Sequence, residues 1–188
     1  MKRPSLLGEC TAEFTGTMIL TFFICGAVDC AVLTGALVGL GQVALVCGLG
    51  VTVGIYVTAA VSGAHLNPAI TLAFATRRGF PKVKIAPYIV AQVLGGFTAG
   101  MLCYAVFHGL LTDFEAAKHF VRGGPGSELS AMMFGEYWPN PTALLSGTQH
   151  PLPVSLLTAF LAEAVGTMVL AGAISRSRRS ATPSPRSG

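Results

Sequence analysis

A compact turn, Gly63-Ala64-His65-Leu66, runs directly into Asn67-Pro68-Ala69, and these residue types in this order suit one kind of chemistry. Asn67 fits a helix N-cap and Pro68 the first helical position, where its missing N–H costs nothing. The carbonyls of Gly63, Ala64, His65 and Leu66 have no helical partners, so they are a candidate row of hydrogen-bond acceptors. The helix N-terminus adds about half a positive charge, and the Asn67 amide can place N–H donors beside it. Such a site orients water or a polyol hydroxyl and repels cations, without making or breaking a covalent bond. His65 matters through its loop, since His108, His119 and His150 share no metal-ligand spacing with it. No Ser-His-Asp set, HExxH, P-loop or paired carboxylate stands in the chain, so an enzyme has little support and neither cofactor nor metal is required.

The helix that Asn67 opens runs over about 67–76 and is closed by Arg77, Arg78 and Gly79, a cationic end with a glycine stop. At about 1.5 Å per residue it spans roughly 15 Å, about half of a bilayer's ~30 Å hydrocarbon core. Backbone that turns back in mid-membrane is tolerated only where protein buries it or a wet cavity lines it. The stretch therefore reads as a re-entrant segment, and the rest of the chain must supply a membrane protein around it.

Composition agrees. The 188 residues are 52% hydrophobic and 11% charged, against about 25% charged for a soluble domain, and mean hydropathy is +0.66. Membrane helices are expected over about 8–33, 40–61, 85–110 and 154–174. A polar stretch from Leu111 to Pro153 separates the last two, and Ser175 to Gly188 is a Ser/Arg/Pro-rich tail expected to be disordered. An incomplete transmembrane domain would thus occupy 1–174. The five cysteines, Cys10, Cys25, Cys30, Cys47 and Cys103, lie in apolar segments without a CxxC pair and read as small buried side chains.

Positive charge sets the expected orientation. Lys2 and Arg3, then Arg77, Arg78, Lys82 and Lys84, then Arg176, Arg178, Arg179 and Arg186 all fall on one side if four helices alternate. That side is the cytoplasm, with both termini inside and the 111–153 loop outside, in a plasma or inner membrane. The basic clusters are topology signals, without the interleaved aromatics of a nucleic-acid surface.

Glu13 and Glu163 lie inside membrane helices, where carboxylates are expensive and face the bundle interior. The better reading is that each accepts hydrogen bonds from loop backbone, with Gln92 in a similar part; a proton relay is the weaker one. Gly50/Gly54 and Gly96/Gly100 are small-xxx-small pairs that suit close helix packing. Residues 12–18 (AEFTGTM) recur at 162–168 (AEAVGTM), so the fourth helix restarts the first. With three membrane helices between the two starts, the second copy would be inverted.

Glu13 in AEFTGT, Ser62 to Thr71 as SGAHLNPAIT and Gln92 in VAQVLGG together resemble the aquaporin, or major intrinsic protein, family. GLGVTVGIY at 48–56, Asp113-Phe114-Glu115, His119 to Gly123, and Tyr137-Trp138-Pro139-Asn140-Pro141 are similar to its glycerol facilitator branch. The resemblance covers about 8–174. It implies an all-α membrane protein with an aquaporin-like helical bundle. The chain would hold the first inverted repeat, three membrane helices plus one re-entrant NPA half-helix, and the first helix of the second.

It further implies a passive channel for glycerol, water and small neutral polyols, assembled as a homotetramer in the lipid bilayer. Asn67, Pro68 and Ala69 would be the first NPA motif, Gly63 to Leu66 the pore carbonyls, and Glu13 and Glu163 the loop braces. Cys47 would stand where glycerol facilitators usually place a filter tryptophan. The second NPA, its following arginine and the last helices are expected near 217 and beyond, past residue 188, and the tail resembles out-of-frame translation. The expectation is a channel impaired by truncation, or alternatively a non-conducting subunit that co-assembles with full-length relatives.

Overall fold

The computed structural model of the chain describes residues 4–37, 39–138, 140–141 and 154–180. Their regular elements are helical, and the chain divides into two units, Met1–Pro151 and Leu152–Gly188. In the first unit, α1 spans Leu6–Asp29, opened by Ser5, whose hydroxyl accepts from the Gly8 N–H at 3.2 Å. A π-helical turn, Cys30–Thr34, extends it. Helix α2 covers Leu40–Ser62 and α3, the half-helix, covers Pro68–Arg77. Helix α4 covers Ile85–Ala117, and a four-residue α5 covers Glu128–Ala131. The second unit holds α6, Leu156–Ser180.

Two expected boundaries move. Residues 111–117 are the last turns of α4 rather than loop. One of their two carboxylates is held, since Glu115 accepts a bidentate pair of bonds from Arg122 at 3.1 and 2.8 Å. Arg122 also donates to the Tyr104 hydroxyl at 3.0 Å; its bonding to Glu115 pushes the guanidinium above its ordinary, already high, pKa. Helix α6 begins at Leu156 and continues through residues 175–180, taking in the start of the expected tail. Pro139 and the stretches 142–153 and 181–188, which carry parts of the loop and tail readings, lie outside the described residues.

Among the described residues, four helical stretches, 6–34, 40–62, 82–117 and 156–174, are long and apolar enough to cross a membrane; α3, at 10 residues, is not. Helix α1 is the centre of its unit and packs against both α2 and α4. Glycines set how closely. A Cβ on Gly54 would sit 2.9 Å from the Gly16 carbonyl oxygen, and one on Gly50 would strike Phe23. On α4 the contact falls one residue before the expected Gly96/Gly100 pair. A Cβ on Gly95 would strike the Phe14 carbonyl oxygen, whereas around Gly100 nothing lies within 4 Å. Ala91, Gly95, Ala99 and Cys103, four apart and all buried, form the small-residue seam that meets α1.

Gly95→Ala should therefore force α1 and α4 apart and lower stability by about 1–3 kcal/mol. Gly100→Ala should leave it unchanged or raise it slightly, since Ala is the better helix former. Thermal unfolding of the two variants in the same detergent checks the contrast.

Candidate functional site

The turn between α2 and α3 is built from conformations that side-chain-bearing residues avoid. Gly63 ends α2 at φ 86°, the left-handed region where glycine carries no steric penalty. Ala64 and Leu66 follow at φ 46° and 51°, each at a cost of about 1–2 kcal/mol. Something must hold them there.

Glu13 does so. Its side chain is fully buried in α1. Oε1 accepts from the His65 N–H at 2.9 Å, and Oε2 accepts from the Leu66 N–H at 2.7 Å. Gln92 Nε2, on α4, donates to the same Oε2 at 2.8 Å. Hydrogen bonds to a charged acceptor are worth about 1.5–3 kcal/mol each, so the two made by the turn itself are of the size of the strain of its two left-handed residues. Because a trans peptide sets N–H and C=O on opposite sides, the same two bonds aim the Ala64 and His65 carbonyls away from the carboxylate.

The Leu66 side chain locks the other face of the turn. It packs into the crossing of α1 and α2, where a Cβ on Gly16 would approach Leu66 Cδ2 to 2.5 Å and Thr58 to 3.0 Å. Past it, Asn67 has extended φ and ψ, and its Oδ1 accepts from the Ala69 N–H at 2.8 Å. That is the N-cap expected of an Asn-Pro start. With Oδ1 so engaged, the amide Nδ2 hydrogens are what Asn67 can offer a ligand. Gly63, Asn67 and Pro68 are half-buried and Ala69 is exposed, while Ala64, His65 and Leu66 are buried. At the far end of α3, Gly79 at φ 67° turns the chain, and the Phe74 carbonyl accepts from the Arg78 and Phe80 N–H groups.

The His65 ring is placed by packing. It lies among Phe74, Phe80 and Tyr88, with centroids 4.8, 4.6 and 5.2 Å away, and its Nδ1 is 3.1 Å from Thr71 Oγ1. Thr71 was not singled out from the sequence, yet it closes the network. Its hydroxyl donates to the Asn67 carbonyl at 3.2 Å and accepts from Gln92 Nε2 at 3.0 Å. A hydroxyl has one hydrogen and two lone pairs, so with these bonds made it can accept from His65 Nδ1–H as well. Glu9, Lys84 and Tyr88 were also missed. Lys84 Nζ donates to both Glu9 oxygens at 2.7 and 2.6 Å, and the Tyr88 hydroxyl lies 2.9 Å from the Ser62 carbonyl. Helical spacing was the available signal: Glu9 sits four residues before Glu13, and Tyr88 four before Gln92.

Two further candidates remain. Cys47 is half-buried on α2, well toward its other end. Glu163 lies on α6, in the second unit, with Gly166 three residues on.

Apolar helices packed about α1, with a half-helix whose entry turn a buried carboxylate holds, define a polytopic helical membrane protein. The comparisons name its family. The description "Major intrinsic protein" matches residues 1–182, and the chain belongs to that family and is an integral membrane protein. The propanediol uptake facilitator of Salmonella typhimurium is 40% identical over 157 residues, which are 84% of this chain and 58% of that protein. The glycerol uptake facilitator proteins of Pseudomonas aeruginosa and Escherichia coli are 41% and 42% identical. They cover 91% and 90% of this chain and 57% and 56% of their own lengths. The chain thus spans a little over half the length of these relatives. The X-ray structure of the aquaglyceroporin from Plasmodium falciparum matches with 36% identity and a TM-score of 0.56, covering 58% of this chain and 45% of that one.

Glu13→Gln sets an amide NH2 against a backbone N–H and should lower stability by about 1–3 kcal/mol, the cost of leaving a buried donor unsatisfied. Gln92→Leu, which removes one donor and leaves both backbone bonds, should cost about half as much. Thermal melts in one detergent measure both.

Proposed function

We propose that the chain supplies the first half of a passive channel for glycerol, water and similar small neutral solutes. The observation that carries this is the Glu13-held turn beside an Asn67-capped half-helix. Carbonyls directed away from the brace can accept from a hydroxyl, while the Asn67 amide donates to it. A helix N-terminus with its partial positive charge disfavours cations at the same point. The names of the relatives, glycerol and propanediol uptake facilitators, agree with a small polyol as the permeant.

In this reading Gly63, Ala64, His65 and Leu66 contribute backbone and Asn67, Pro68 and Ala69 the half-helix start. Cys47 widens the filter where a bulkier residue would narrow it. Glu163 braces a second re-entrant loop as Glu13 braces the first, because residues 162–168 repeat residues 12–18. The basic clusters set both termini in the cytoplasm of a plasma membrane, and the working form is a homotetramer. The repeat also favours a second reading, in which α6 offers its Glu163 face to a full-length relative in a mixed assembly.

Reconstituted alone in liposomes, the 188-residue chain should give little or no glycerol flux, because one half-helix lines only half of the membrane depth. Co-reconstituted with the C-terminal half of the Escherichia coli glycerol uptake facilitator protein, it should give solute-selective flux that Asn67→Asp lowers at least tenfold. Robust flux from the chain alone, or flux indifferent to Asn67, would overturn the proposal.

A further inference from the structure

The Tyr88 hydroxyl stands between two acceptors. The Ser62 carbonyl oxygen is 2.9 Å away and Glu9 Oε2 is 3.2 Å away. A phenol has a single hydrogen, and an ionised carboxylate can only accept, so one of these contacts is made without a proton. Tyr88 is 1% exposed and Ser62 is buried, which leaves no bulk water to serve the Ser62 carbonyl if it loses the hydrogen. The choice matters to the re-entrant turn. Ser62 is the last residue of α2, and its carbonyl is among those a helix C-terminus leaves without an internal partner. Its hydroxyl also accepts from the Ala64 N–H at 3.0 Å, so Ser62 fixes the start of the turn from both ends of the residue.

We infer that Lys84 is a positioning residue for this turn: by holding the Glu9 carboxylate, it leaves the one Tyr88 hydrogen to the Ser62 carbonyl. Its ammonium reaches both Glu9 oxygens at 2.7 and 2.6 Å, in the ion pair that ties α1 to the turn before α4. A carboxylate neutralised in this way is a weaker competitor for the phenol. Without Lys84, the charged Glu9 is the stronger acceptor, and the hydrogen moves to it. The two halves of the ion pair are therefore not equivalent. Losing the cation robs Ser62 of its donor, whereas losing the anion does not.

The assignment concerns the backbone on which the proposed channel relies, and its test reads that backbone directly, so a failure of flux and a failure of the assignment are separate results. The test is amide hydrogen exchange of the full chain in nanodiscs. Tyr88→Phe keeps the ring against His65 and Phe80 while removing the hydrogen. It should speed exchange at Gly63 to Leu66 roughly tenfold, the size of one lost buried hydrogen bond, with the mid-helix amides of α1 and α4 unchanged. Lys84→Gln should reproduce that local rise. Glu9→Gln alone should leave exchange at the turn as in the wild type, and adding it to Lys84→Gln should restore wild-type exchange. The Glu9→Gln arm stands even if Lys84→Gln fails to fold. A rise at the turn in Glu9→Gln, no rise in Lys84→Gln, or an equal rise in every helix would overturn the assignment.

Discussion

One buried carboxylate decides the geometry of the turn between α2 and α3. Glu13 is taken fully out of solvent and given three donors, two of them consecutive backbone N–H groups of the re-entrant turn. Burying a charge costs several kcal/mol, and even good partners roughly offset that cost rather than exceed it. The return is specification. With the acceptor fixed on α1, Ala64 and Leu66 are held in left-handed conformations that they would leave if free, and the adjoining carbonyls face the opposite way. Thr71, Gln92 and Asn67 then tie the half-helix to the same point.

That arrangement needs α1 close to both neighbours, and glycine supplies the closeness. Gly16 and Gly54 face each other across α1 and α2 and leave the slot that the Leu66 side chain fills. Gly95 does the same for α1 and α4 and brings Gln92 within reach of Glu13. Packing and polar bonding are thus coupled. A methyl group at Gly54 or Gly95, where a backbone oxygen stands in the way, would move the carboxylate away from the turn it braces.

Much of this could be read from residue types. Asn-Pro and Arg-Arg-Gly marked the two ends of the half-helix, because each has a local reason to be there: a side-chain cap, a missing N–H and a left-handed stop. Glu13 and Gln92 announced themselves as polar groups in apolar surroundings. Other features depended on neighbours that a linear pattern does not name. Gly95, Gly96 and Gly100 are equally small, and only the face that α1 meets selects Gly95. Asp113 and Glu115 looked like loop residues until Arg122 folded back to pair with one of them. His65 was expected to matter through its loop, and its N–H does the bonding while its ring is packed among aromatics. Glu9 and Tyr88 lay one turn from recognised residues, and their partnership rests on a carbonyl at the end of a different helix.

The central claim is that Glu13 holds the turn by accepting the His65 and Leu66 N–H groups. The most direct measurement is the pair of amide proton chemical shifts of those residues, by NMR of the labelled chain, in the wild type and in Glu13→Ala. Two short bonds to a carboxylate should shift both amides far downfield, and both should return toward ordinary values in the variant while α3 keeps its helical shifts. Amide shifts that are ordinary in the wild type, or that do not change when the carboxylate is removed, would contradict the account.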